Sequence, residues 1–176
     1  TLTGLLMLTP YMHWKWEHAA HHATSGNLDK RGKGDFWTLT VQEYLKAHWL
    51  KRLAYRCARN PFILFILAPI FIFGVGQRFT SRYAPKKEKW SVYITTLVLA
   101  AIVTAFALTI GIKAFLIIEI PLVMLTGTCG VWLFYVQHQF DEVYWRRQGN
   151  WNYFQSAIKG SSYFKLPQPL QWATGN

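Results

Sequence analysis

The chain has 176 residues, 52% of them hydrophobic and 17% aromatic, with a formal net charge of +11. That length fits one domain, and the segregation of its residues argues against a soluble one: long apolar runs hold almost no charge, while Lys and Arg crowd the segments between them. No nucleic-acid recognition motif accompanies the basic charge, so its expected partner is the anionic leaflet of a membrane.

Residues 1–12 read as the end of an apolar helix, with Pro10, Tyr11, Trp14 and Trp16 at a membrane interface. The chain starts at Thr1 without Met and stops at Trp172-Ala-Thr-Gly-Asn176, which reads as a piece of a longer protein. A helix over Trp14–Ala23 carries His18, His21 and His22 as H-A-A-H-H. Offsets of three and four place the imidazoles within about 100° of one another, on one face. Three neutral imidazoles converging on one spot suit a borderline ion such as iron or zinc. The competing reading is a polar interfacial helix that happens to be rich in histidine. Three of the chain's six histidines on one face favour the ligand cluster, although the spacing does not choose the metal.

The run Thr24 to Asp35 is dense in turn formers and reads as a loop. From Val41 to Arg59, Val41, Leu45, Trp49 and Leu53 repeat at four while Lys46, Arg52, Arg56 and Arg59 stay polar, which predicts one basic helix in the headgroup plane. Residues 61–76 are apolar but short, open with Asn60-Pro61 and hold Pro69 at their centre. Residues 91–110 and 114–136 are each long enough to span a bilayer, and Gly111-Ile-Lys113 joins them into a hairpin.

Charge predicts orientation. Nine Lys/Arg lie between Lys15 and Arg59, five between Arg78 and Lys89 and four between Arg146 and Lys165, against Lys113 alone in the connector. The connector then faces out and the remainder faces the cytoplasm. With both flanks basic, 61–76 is expected to be re-entrant or interfacial rather than spanning. The predicted class is an all-α integral membrane protein. It has a two-helix hairpin over 91–136, a cytoplasmic histidine region over 13–60 and a cytoplasmic segment over 137–176. This parity places His138, after the last spanning helix, on the same side as the histidine triple, where it can complete one metal site.

The remaining candidates divide. Asp141, one turn beyond His138, is the expected acceptor for the other ring N–H of that histidine. His13 points away from the triple and reads as interfacial, and His48 has no partner pattern. Glu119 is the one acid inside an apolar run and reads as structural, reaching towards Lys113. Cys57 and Cys129 sit in a basic segment and an apolar run, so no disulfide is expected. Lys30, Arg31, Lys33, Arg146 and Arg147 form basic loops that meet solvent or lipid phosphate, or, on a sharper reading, dock an acidic electron carrier.

The stretch Pro10-Tyr11-x-x-Trp14-x-x-x-His18-x-x-His21-His22-Ala-Thr-Ser-Gly-Asn-Leu-Asp-Lys-Arg-Gly-x-Gly-Asp35, followed by Thr40-Val-Gln-Glu-Tyr44, resembles the second histidine box of membrane fatty acid desaturases, closest to the bacterial acyl-lipid type. The later half carries His138-x-Phe-Asp-x-x-Tyr144-Trp145, Gly160-Ser-Ser-Tyr-Phe-Lys-Leu-Pro167 and Leu170-Gln-Trp-x-Thr-Gly-Asn176, which resemble the same family. The resemblance implies that His18, His21, His22 and His138 are ligands of a di-iron centre. The family's first box would precede residue 1 and its third would follow Asn176. It implies dioxygen as co-substrate and two electrons from a donor such as a ferredoxin. Two vicinal hydrogens would leave a membrane-lipid acyl chain to give a cis double bond, with the chain lying in an apolar tunnel walled by the spanning hairpin. A bacterial cytoplasmic membrane with the metal site on its inner side is the implied setting. A hydroxylase or ketolase of the same superfamily, or a non-catalytic zinc-binding relative, stays open at this point.

Overall fold

The computed structural model describes residues 4, 5, 7–32, 34–81, 84–163 and 165–174. Its helices are α1 (Tyr11–Thr24), α2 (Val41–Lys46), α3 (Trp49–Ala58), α4 (Ala68–Gly74), α5 (Lys86–Thr109), α6 (Ile112–His138), α7 (Tyr153–Lys159) and α8 (Gln168–Thr174). A π-helical turn at Ile63–Leu67 leads into α4, and 3-10 turns occupy Gly76–Arg78 and Gln148–Asn150. The described residues contain no strand, only an isolated parallel bridge between Asn27 and Arg146.

The hairpin expected over 91–136 is present and longer at both ends. α5 and α6 are each long and apolar enough to cross a membrane, yet only 6% and 17% of their apolar windows are buried in protein. Their side chains therefore need an apolar solvent. The reversal between them turns on Gly111 at φ +84, a left-handed conformation that costs glycine nothing.

The predicted helix over Val41–Arg59 is instead two. Thr40 opens α2 with a capping box, its Oγ1 accepting from the Glu43 N–H at 3.2 Å and its own N–H donating to Glu43 Oε2 at 2.9 Å. Ala47 and His48 then leave the helical region at ψ 147 and 150, and His48 Nδ1 caps α3 by accepting from the Leu50 N–H at 3.4 Å. A side-chain cap offers the backbone a partner outside the helix, and the four-residue repeat of apolar side chains does not register that competition. The chain bends by 62° between α3 and Ile63–Arg78.

Pro69 sits at the start of α4, directly after the π turn. Proline has no N–H to give the carbonyl four residues earlier, and its ring crowds that oxygen. The carbonyl is that of Phe65, within the π turn, and the Thr128 hydroxyl of α6 donates to it. Gly127, beside Thr128, lets the two segments close: a Cβ there would stand 2.9 Å from Pro69 Cβ and 3.1 Å from Phe73 Cδ2.

α1 packs on α5. His13 Nδ1 lies 2.7 Å from Glu88 Oε1, both residues buried, and the Met12 N–H donates to Ser91 Oγ at 3.2 Å. His13 is thus a packing partner of α5 rather than the interfacial residue expected. It points away from the triple because it faces Glu88.

The loop after α1 is stapled to the chain after α6. The Leu28 N–H donates to the Arg146 carbonyl and the Arg146 N–H to that of Gly26, both at 2.9 Å. Arg147 pairs with Asp29 at 2.6 Å and reaches Glu43 at 3.3 Å, while Arg31 forks onto both Glu43 oxygens at 2.6 and 2.9 Å. Arg31 and the Thr40 N–H hold the Glu43 carboxyl down to about 2. The Gln148 N–H, then Arg147, hold Asp29 below its ordinary value.

Two outcomes follow from this packing. Gly127→Ala should lower stability by about 1–3 kcal/mol through overpacking, measured by SDS-driven unfolding in detergent micelles. Gly130→Ala, with nothing within 4 Å of its new methyl, should be neutral or stabilising by about 1 kcal/mol. Equal effects at the two positions would contradict the close approach. For the staple, a depressed carboxylate contributes stability above its unfolded value, near 4.5, and loses it as pH falls towards about 2. Amide protection factors over Asn27–Arg31 should hold from neutral pH to that upper value and drop below it, and Glu43→Gln should remove much of that acid-dependent step.

Candidate metal centre

α1 presents its three histidines as the spacing requires. His21 is 2% exposed and points inward, while His18 and His22 lie on the open side of the same face. α6 delivers His138 as its last residue, one turn after Phe134. The four imidazoles meet as two pairs: His21 Nε2 stands 3.2 Å from His138 Nε2, and His22 Nε2 stands 3.0 Å from His18 Nε2. Among the described residues no three His, Cys, Asp or Glu side chains surround one point in a way that holds a metal ion.

The outer nitrogens decide what the inner ones can do. His21 Nδ1 lies 2.6 Å from Asp35 Oδ1, and His138 Nδ1 lies 3.0 Å from the Gly160 carbonyl. Both partners are acceptors, so in each neutral ring the proton sits on Nδ1 and the lone pair on Nε2. Two lone pairs then face each other across 3.2 Å. They repel unless a cation or proton lies between them. A metal about 2.1 Å from each nitrogen would subtend about 100°, between a tetrahedral and a cis-octahedral angle. The donor chemistry fits a metal, with two rings of the four already in the ligating tautomer. His18 and His22 are held below the usual histidine range, first by desolvation and then by neighbouring imidazoles, which also favours the neutral, ligating form.

The Gly160 carbonyl reaches His138 because the chain returns to cap α6. The Ser162 N–H donates to the Gln137 carbonyl at 2.9 Å and Ser162 Oγ to the Val136 carbonyl at 2.7 Å, closing oxygens left open at a helix C-terminus. Gly34, at φ +71, brings the Asp35 loop against α1, where a Cβ would stand 3.2 Å from His21 Cβ. Trp14 stacks on His18 at 4.7 Å and Phe134 lies edge-on to His21 and His138 at 4.9 and 5.0 Å, with Phe36 packed on Phe134 at 5.2 Å.

Asp141 is exposed and does not take the expected role; Gly160 supplies the acceptor because the capping segment lies closer to the ring. Asp35, a carboxylate the sequence reading passed over, orients His21 instead. His48 caps α3. Glu119 and Lys113 form no ion pair among the described residues. The basic docking surface is smaller than expected, since Arg31 and Arg147 are committed to Glu43 and Asp29 and Arg146 packs over the Tyr144 ring at 5.4 Å. Lys30 is exposed, and Lys33 lies outside the described residues.

A cavity of about 600 Å³ opens beside His18 and His21 and runs along α6 past Phe134, Val131 and Gly130. Ile72 and Phe73 of α4 also line it, as does Gln77. Among the α-helices its lining comes from α1, α4 and α6, with none from α5.

Asp35→Ala should weaken divalent-metal binding by this chain about 10–100-fold, the usual cost of losing an outer-shell partner, as read by cobalt(II) absorption titration. His48→Ala should leave the titration unchanged. Equal losses in both variants would contradict the tautomer argument.

Residues 1–176 match the fatty acid desaturase family along their whole length. A "Fatty acid desaturase" of Bacillus subtilis (strain 168) is 50% identical over 175 residues, covering 99% of this chain and 50% of that protein. An "sn-1 acyl-lipid omega-3 desaturase (ferredoxin)" of Synechocystis sp. is 24% identical over 170 residues, 86% of this chain and 43% of that protein. No solved structure matches significantly. The chain spans about half the length of these relatives. With the family matched end to end over the residues that bring the four imidazoles together, this chain belongs to the fatty acid desaturase family.

Proposed function

We propose that the chain forms the part of a membrane acyl-lipid desaturase that carries the second histidine box, the spanning hairpin and one further ligand. In this reading His18, His21, His22 and His138 hold part of a di-iron centre, with the remaining ligands supplied from outside these residues. The observation that supports it most is the pair of facing Nε2 lone pairs at 3.2 Å, fixed by Asp35 and Gly160, at the mouth of an apolar cavity. Bound iron would supply the oxygen-derived oxidant needed to remove hydrogen from an unactivated methylene, which no side-chain acid or base achieves.

The chain's own residues do the rest. Asp35 and Gly160 keep two rings in the ligating tautomer. Phe134 limits water at His21 and His138, and the α4–α6 groove holds the acyl chain extended against the site. Pro69 and the 62° bend suit a re-entrant 61–76, which leaves α1 and the end of α6 on one side of the membrane, the cytoplasmic side by charge. The Synechocystis relative is named for ferredoxin; for this chain an acidic one-electron carrier would dock beside the exposed Lys30.

Expression of the intact gene in a bacterial host lacking the product, with analysis of fatty acid methyl esters, tests the reading. One new cis-unsaturated species is expected, abolished by His21→Ala or His138→Ala with the protein still in the membrane. A hydroxylated product would replace this reading with the hydroxylase one. Near-full activity of either variant would overturn the ligand assignment.

A further inference from the structure

The cavity beside the histidines is mostly apolar, and among its polar lining residues Gln77 alone has a buried side-chain oxygen without a partner among the described residues. Gln77 is 7% exposed and lines it among Ile72, Phe73, Val131 and Phe134, and its Oε1 is buried with no hydrogen-bond partner. The amide is held there by its neighbour. Arg78 donates to the Leu8 carbonyl and, at 3.4 Å, to Thr96 Oγ1, pinning the 3-10 turn between the chain leading into α1 and the middle of α5. Burying an amide without a partner is unfavourable, and folding gains nothing visible from this one. Sparse polar groups in apolar pockets are what fix a ligand's orientation and register.

An acyl chain offers only one polar group to such an amide, the carbonyl at its ester end; all else is methylene. A half-turn about the last side-chain bond exchanges the oxygen and nitrogen of the amide, so the same position presents an N–H donor. Resting on the desaturase reading, we propose that Gln77 is a specificity-determining residue that donates a hydrogen bond to the ester carbonyl of the substrate. That bond fixes which pair of methylenes lies under the histidines. The double-bond position is then measured from the carbonyl, with Gln77 as the fixed point.

The test uses the intact protein and compares Gln77→Met with Gln77→Asn. Met keeps the length and loses the donor. It should lower the ratio of the principal positional isomer to its neighbours about tenfold, the weight of one neutral hydrogen bond. Asn keeps the amide but withdraws it by one methylene, and should move the principal double bond to an adjacent position. Infrared spectra of an acyl lipid ¹³C-labelled at the ester carbonyl give a readout free of turnover: a red-shifted carbonyl band with the parent, lost in Gln77→Met. A single unchanged isomer and an unchanged band in Gln77→Met would overturn the proposal while leaving the desaturase reading intact. No unsaturated product from the parent itself would overturn that reading and this inference with it.

Discussion

Two imidazole nitrogens with their lone pairs turned towards each other are a configuration that water would ordinarily dissolve. Here the rings cannot turn away, because each is held from behind by an acceptor that leaves one proton position open. Asp35 sits in a loop pressed onto α1 through Gly34, and the Gly160 carbonyl sits in the strap that caps α6. The backbone needs of a helix terminus and the fixing of one imidazole tautomer are met by the same three residues, Gly160 to Ser162. Moving that strap would open the carbonyls of α6 and free the His138 ring together.

α6 carries this arrangement through an apolar medium, where an unpaired carbonyl has no water to turn to. The Phe65 carbonyl, stranded by Pro69, is satisfied by Thr128 from another helix, and Gly127 provides the closeness that the bond requires. The small residue and the hydroxyl act as one device. It seats α4 against α6, and that seating makes the groove that leads to the rings. His13 and Glu88 do the corresponding work on the other side, fixing α1 to α5 so that the histidine face meets the end of α6.

The lengths of the apolar runs and the spacing of the histidines carried the hairpin and the histidine face, since each is a pattern within one stretch of chain. What they could not carry was pairing between stretches. Nothing around His48 distinguishes a cap from a helical residue until the backbone has chosen, so the break at Ala47–His48 was hidden under an unbroken apolar repeat. Asp141 lay one turn from His138 and seemed the natural acceptor; Asp35 is near His21 only because a loop folds back on α1. Arg31 and Arg147 read as a free basic surface because their partners, Glu43 and Asp29, come from elsewhere in the chain. Local sequence shows which groups are present, while the return path of the chain decides which of them face one another.

The staple between Asp29 and Arg147 joins residues 118 apart, with α2 to α6 contained between them. Topologically the hairpin is an excursion tied at its neck, and the histidines sit at the knot. During synthesis α1 emerges long before the strap that orients His138, so the His21–His138 pair does not exist until the excursion has gone into the membrane and returned. The cost of closing so wide a loop grows only with the logarithm of its length, which makes the size of the excursion tolerable. Completion of the site is thereby a report that insertion has finished: a chain that stalls with α6 outside the bilayer has three histidines on an open helix and no opposing partner. Order of assembly, rather than any separate safeguard, decides when His21 meets His138.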